Sequence, residues 1–124
     1  MPHLTLEYTR NLDLDPEAAL RNLNEEMYAS GLFAEADIKS RAVALDHWRV
    51  GIADVPRAFA HVKVALLAGR PPEVRRALAE RLLVALRAHC GAPDAREVQL
   101  CVETLEIDGP SYAKTAFAVD RAID

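Results

Sequence analysis

The stretch Met1-Pro2-His3-Leu4-Thr5-Leu6-Glu7-Tyr8 sets Pro2, Leu4, Leu6 and Tyr8 against His3, Thr5 and Glu7. A period of two with one apolar face predicts a β-strand whose even-numbered residues pack on a core. The same stretch offers a chemical group. Methionine aminopeptidases remove Met before a small second residue, and Pro2 qualifies, so the mature chain is expected to begin with a secondary amine held in a rigid ring. An α-amino group titrates near pH ~7.7 to 8.0, and burial or positive neighbours favour its neutral form. Such a nitrogen can serve as a base and then as an acid near neutral pH. A proline that merely opens an edge strand would occupy the same position, because no ladder donor is needed there.

Outward from this strand, Asn11 to Asp15 is turn-like. Asp15-Pro16-Glu17 then supplies a cap oxygen, a pre-set first helical residue and a carboxylate at the positive helix end. The spacing of Leu20, Leu23 and Met27 predicts a helix over roughly 16–30, closed by Gly31. From Ile38 to Leu45 the chain turns β-like, with Lys39, Arg41, Val43 and Leu45 on one side, so two cations share a face. Asp46 to Pro56 has the mixed composition of a hairpin or irregular connection and contains Trp48. Ala58, Ala60, Val62, Val64 and Leu66 predict another strand. Gly69-Arg70-Pro71-Pro72-Glu73 breaks it and starts a second helix along Val74, Leu78, Leu82, Leu86 and His89, ended by Gly91. Val98, Leu100, Val102 and Thr104 predict the last main strand. From Asp108 onward the pattern fits a short helix, a strand or a subunit contact equally well.

The plan repeats. Pro16-Glu17 and Pro72-Glu73 stand 56 positions apart, and the same offset lays Pro2, Leu4, Leu6 and Tyr8 over Ala58, Ala60, Val62 and Val64. After the second helix the offset grows to 60, with Ile38 over Val98. The chain therefore reads as α/β, two βαβ units in tandem over about 1–55 and 56–124, forming a single domain. Right-handed crossovers would give a four-stranded sheet with both helices on one face. The other face needs a cover, for which a neighbouring subunit is the natural choice. The halves differ where chemistry could reside: Pro2 lies over Ala58, and Arg70 lies over Leu14.

Composition narrows the function classes. The 124 residues are 51% hydrophobic and 27% charged, with a formal net charge of −4. Basic residues are interspersed with acidic ones, which argues against a nucleic-acid surface. No apolar run reaches membrane-spanning length and no signal-like start is visible, so the expected location is the cytoplasm. Cys90 and Cys101 have no metal-ligand spacing and read as reduced, partly buried thiols. His3, His47, His61 and His89 show no close ligand spacing either, so no metal site is expected.

These residues together carry a resemblance. The opening Met1-Pro2-His3, then Ser30-Gly31-Leu32-Phe33, Ile38-Lys39-Ser40-Arg41, Asp46-His47-Trp48 and Ala68-Gly69-Arg70 resemble the 5-carboxymethyl-2-hydroxymuconate isomerase family of the tautomerase superfamily. The resemblance covers most of the chain and is weakest in the tail. It implies a tautomerase-like homotrimer with no metal or organic cofactor. It also implies an isomerase in which Pro2 moves a proton between the oxygen and carbon ends of a conjugated enol acid, in bacterial breakdown of homoprotocatechuate. Pro2 and Arg70 are then the expected catalytic residues, with Arg41, Lys39 and Trp48 binding substrate. Where the family pattern has arginine this chain has Lys39, which lacks the planar fork that grips a carboxylate twice. Clustered cations suit the chemistry, because an acidic protein binds a polycarboxylate only where positive charge is concentrated. Two rival functions remain: a tautomerase for a different unsaturated or 2-keto acid, and a catalytically silent trimeric ligand-binding module.

Overall fold

The computed structural model describes residues 1–92, 94–95 and 97–119. Strand β1 (His3–Thr9) leads into helix α1 (Pro16–Ala29), a single 3-10 turn (Glu35–Asp37) and strand β2 (Lys39–Leu45). Strand β3 (Arg57–Leu67) is followed by helix α2 (Pro72–Ala88), strand β4 (Glu97–Ile107) and a last 3-10 turn (Gly109–Ser111). The four strands form one mixed sheet in the order β2-β1-β3-β4, parallel within each βαβ unit and antiparallel where β1 meets β3. This is the expected βαβ-βαβ fold.

Local chemistry explains the element ends. The Asp15 carboxylate accepts from the Glu17 and Ala18 N–H groups at 3.1 and 3.3 Å, which satisfies two donors that a helix start leaves free. Gly31, at φ 78°, takes the left-handed turn that follows α1. Helix α2 stops at Ala88, short of Gly91. Gly91 instead exchanges backbone hydrogen bonds with Asp13, at 2.6 and 3.0 Å, tying the end of the second unit to the first. A Cβ at Gly91 would meet the Asp13 side chain at 3.6 Å. The last strand runs three residues beyond Thr104 and matches the full length of β3. Residues 46–56 form no strand.

The even-numbered residues of β1 and β3 face the helices. Leu4, Leu6, Val62, Val64 and Leu66 are fully buried against Leu23, Met27, Leu82 and Leu86 in one apolar cluster. Each such side chain contributes about 1.5–3 kcal/mol on removal from water. The repeat is also visible in the register. Under the offset of 56, residues 6 and 62 are equivalent, and Leu6 lies directly opposite Val62, flanked by Leu4 opposite Val64 and Tyr8 opposite Ala60. A local two-fold axis thus passes between Leu6 and Val62. His3 pairs with Lys39 and Arg57 with Glu97, so the crossovers differ by four residues, most of which the longer α2 absorbs with 17 residues against 14.

The odd-numbered face carries neither helix. It presents Lys63 beside Glu7 at 3.8 Å, His61 beside Glu103, and the exposed apolar side chains Val43 and Leu105.

Candidate functional site

Strand direction decides what meets Pro2. Because β2 runs parallel to β1 and β3 runs against it, the start of β1, the start of β2 and the end of β3 converge at one end of the sheet. Pro2 is buried there, on the side of Leu4 and Leu6, and its carbonyl accepts from the Lys39 backbone N–H at 3.2 Å. The chain terminus is therefore anchored by main chain and by core packing together.

Arg70 reaches the same end from the turn after β3. That turn uses Gly69 at φ +128°, a backbone geometry that side chains disfavour. The Arg70 guanidinium donates to the carbonyls of Leu32 at 3.2 Å and Leu67 at 3.4 Å, and its Cζ lies 5.0 Å from the centre of the Phe33 ring. Arg75 holds the Arg70 carbonyl at 3.2 Å. A guanidinium has five N–H donors, so these contacts fix its orientation and leave donors for a ligand.

Lys39 and Arg41 stand two residues apart on the odd face. The Lys39 ammonium donates to the Asp37 carbonyl at 2.6 Å, and Arg41 donates to His3 Nδ1 at 2.9 Å. Since arginine only donates, Nδ1 must be the bare nitrogen of His3, and Nε2–H points to the Tyr112 hydroxyl oxygen 3.4 Å away. Burial first, then the charges of Arg41 and Lys39, push the His3 pKa down, in keeping with a neutral ring. From the tail, Lys114 donates to the Asp37 carboxylate at 3.0 Å and holds that carboxyl below its usual range.

The Met1 amine, next to Pro2, registers the whole cluster. Burial, then Lys39, lowers its pKa, with Lys114 and Arg70 acting in the same direction and Asp37 opposing them. Three cations against one carboxylate make this end locally positive on a chain of net charge −4.

The structure thus gathers Pro2, Lys39 and Arg70, and places Arg41 one step along β2 opposite Thr5. Within one chain it does not bring Trp48 to them. Trp48 follows the far end of β2, about 20 Å away at ~3.3 Å per residue along the strand. Its indole N–H donates to the Arg57 carbonyl at 3.3 Å, and it lines a cavity of about 370 Å³ with Asn11, Arg49 and Asp54. Conversely, Asp37, Tyr112 and Lys114 belong to the terminal cluster although nothing in the sequence pattern singled them out. The last two lie in the aperiodic tail and make their contacts across 109 and 77 positions.

Residues 2–119 match the family model described as 5-carboxymethyl-2-hydroxymuconate isomerase. The chain belongs to that family. An Escherichia coli 5-carboxymethyl-2-hydroxymuconate Delta-isomerase is 28% identical over 110 residues, which span 87% of this chain and 86% of the relative. The solved 5-carboxymethyl-2-hydroxymuconate isomerase of Deinococcus radiodurans R1 is 31% identical and superposes with a TM-score of 0.78 over 92% of this chain and 88% of its own. The fold extends to a fused 4-OT symmetric trimer, 22% identical, with a TM-score of 0.70 over 90% of each chain. Membership places this chain among the isomerases of the tautomerase superfamily.

Proposed function

We propose that this chain is a cofactor-independent isomerase that ketonises 5-carboxymethyl-2-hydroxymuconate, a step in homoprotocatechuate breakdown, with the amine of mature Pro2 as the proton shuttle. The observation that carries the proposal is the convergence of Arg70, Lys39 and Lys114 on the chain terminus, next to the buried Pro2, in an otherwise acidic protein. Once Met1 is removed, the ring nitrogen occupies a position where neighbouring cations keep it unprotonated at neutral pH, as a base must be.

The proton bookkeeping is simple. The nitrogen takes the proton of the substrate 2-hydroxyl, that oxygen becomes the ketone, the conjugated double bonds shift along the chain, and the same proton is delivered to the far carbon. No atom is gained or lost, and no oxidant or reductant is needed. Arg70, already oriented by Leu32 and Leu67, grips a carboxylate and stabilises the negative charge that develops on the substrate oxygen. Arg41 and Lys39 take a second carboxylate at the start of β2. Trp48 walls the pocket only if a neighbouring copy supplies it, since its own copy holds it at the opposite end of the sheet. A homotrimer that covers the open sheet face supports this arrangement, and the fused 4-OT neighbour is a symmetric trimer.

Ketonisation is followed by ultraviolet absorbance on the purified, Met1-processed protein. Pro2→Ala and Arg70→Ala are expected to lower turnover by about 100-fold or more while the melting transition persists. Wild-type turnover in both variants would remove these residues from the mechanism. Comparable turnover of unrelated enol acids would replace the named substrate with a broader class.

A further inference from the structure

The tail crosses the terminal cluster and is pinned there twice, by Tyr112 to His3 at 3.4 Å and by Lys114 to Asp37 at 3.0 Å. Asp37 receives two lysines: Lys39 on its carbonyl and Lys114 on its carboxylate. The Lys114 and Asp37 side chains are 37% and 43% exposed, so solvent and solute reach the pair. A surface pair of this kind contributes little to stability, and opening it costs little. An ammonium also has three donors, and Asp37 engages one of them.

We propose that Lys114 is a further carboxylate-binding cation of the site, with Asp37 as its resident counter-ion, and that it favours substrates bearing a third carboxylate. This rests on the isomerase function proposed above. Arg70 takes the carboxylate beside the reacting oxygen, and Arg41 with Lys39 takes a second. A third carboxylate is left over, and Lys114 lies on the same side of the cluster as Lys39, with two donors unengaged among the described residues and a flexible stem to follow the ligand. The incoming carboxylate competes with Asp37 for Lys114. Asp37 therefore keeps the cation in place before binding and weakens binding when it occurs.

The competition gives opposite signs for the two partners, which a plain structural latch does not. In the Met1-processed protein, Lys114→Met is expected to lower the ratio of kcat/KM for 5-carboxymethyl-2-hydroxymuconate over a 2-hydroxydienoate with a single carboxylate by about tenfold, through KM. Lys114→Arg should restore the ratio. Asp37→Asn should tighten polycarboxylate binding by several-fold. Calorimetric titration with propane-1,2,3-tricarboxylate reads the same order without turnover: Asp37→Asn tightest, then wild type, then Lys114→Met. Equal losses on both substrates, or Asp37→Asn weakening binding as Lys114→Met does, would overturn the proposal. So would failure of the tricarboxylate to bind the wild-type protein. Absence of turnover with an intact binding order would instead refute the isomerase function and leave Lys114 as an anion site.

Discussion

Retention of Met1 should silence the protein without unfolding it. Two preparations, released from a cleavable leader so that the chain starts at Pro2 or at Met1, differ by one residue at the point where the chemistry is placed. With Met1 present the Pro2 nitrogen is an amide with no proton to exchange, and the general acid–base contribution of about 10²- to 10⁴-fold is lost. The Met1 amine cannot make up the deficit, although Lys39, Lys114 and Arg70 also surround it. It stands one residue further out, about 3.8 Å between Cα atoms, and a displacement of ~1 Å already costs about 100-fold. The expected residual turnover is thus on the order of 1% or less. Stability should not follow, because the fold holds Pro2 buried and bonded to the Lys39 N–H with Met1 in place. Turnover by ultraviolet absorbance, intact mass to identify each terminus and a circular-dichroism melt decide the matter. A Met1-bearing protein within tenfold of the processed one would refute the proline mechanism.

Two further outcomes are expected. Activity needs the free amine, so kcat/KM should rise with pH to a plateau through a pKa below that of an unperturbed N-terminal proline, because Pro2 adjoins the cluster in which burial first and Lys39 next lower the pKa of the Met1 amine. Lys39→Met removes one of those causes and should move the acid limb of the profile upward, whereas an unmoved limb would detach Lys39 from the terminus. On the open sheet face, Val43→Glu combined with Leu105→Glu should lower the sedimentation-derived mass from that of the proposed trimer to that of a monomer, since both side chains are exposed in a single chain on the face the proposal gives to neighbouring copies; an unchanged trimer mass would move the interface elsewhere.

Alternation and helix punctuation made most of the fold legible. Each half-buried strand declares itself by period two, and Pro16-Glu17 and Pro72-Glu73 each mark a helix start in the structure. Gly91 was less transparent. A glycine after a helical stripe reads as a stop signal, but here it gives room for backbone contact with Asp13, and that contact depends on tertiary packing. The basic site was legible as far as parity carries. Lys39 and Arg41 share a face because a strand alternates, and the turn after β3 brings Arg70 to Pro2 because β1 and β3 are antiparallel. Trp48 was marked by the family resemblance alone, and strand direction places it at the other end of its own chain's sheet, where it donates to the Arg57 carbonyl. Tyr112 and Lys114 follow no period at all, and their partners are set by where the tail happens to cross.

The two-fold axis between Leu6 and Val62 explains why the proposed chemistry fits one end of the repeat only. It exchanges the end bearing Pro2 and Arg70 with the end bearing their counterparts under the offset of 56, Ala58 and Leu14. Ala58 is an interior residue of one continuous chain, so its nitrogen is an amide whatever side chain is chosen there, and no second terminal amine can arise. With no base at that end, a guanidinium opposite it would have no proton transfer to assist. Leu14 instead packs, partly buried, against the core. A tandem of two βαβ units thus leaves one end for the proposed proton chemistry and the other for packing, where the Trp48 indole N–H donates to the Arg57 carbonyl.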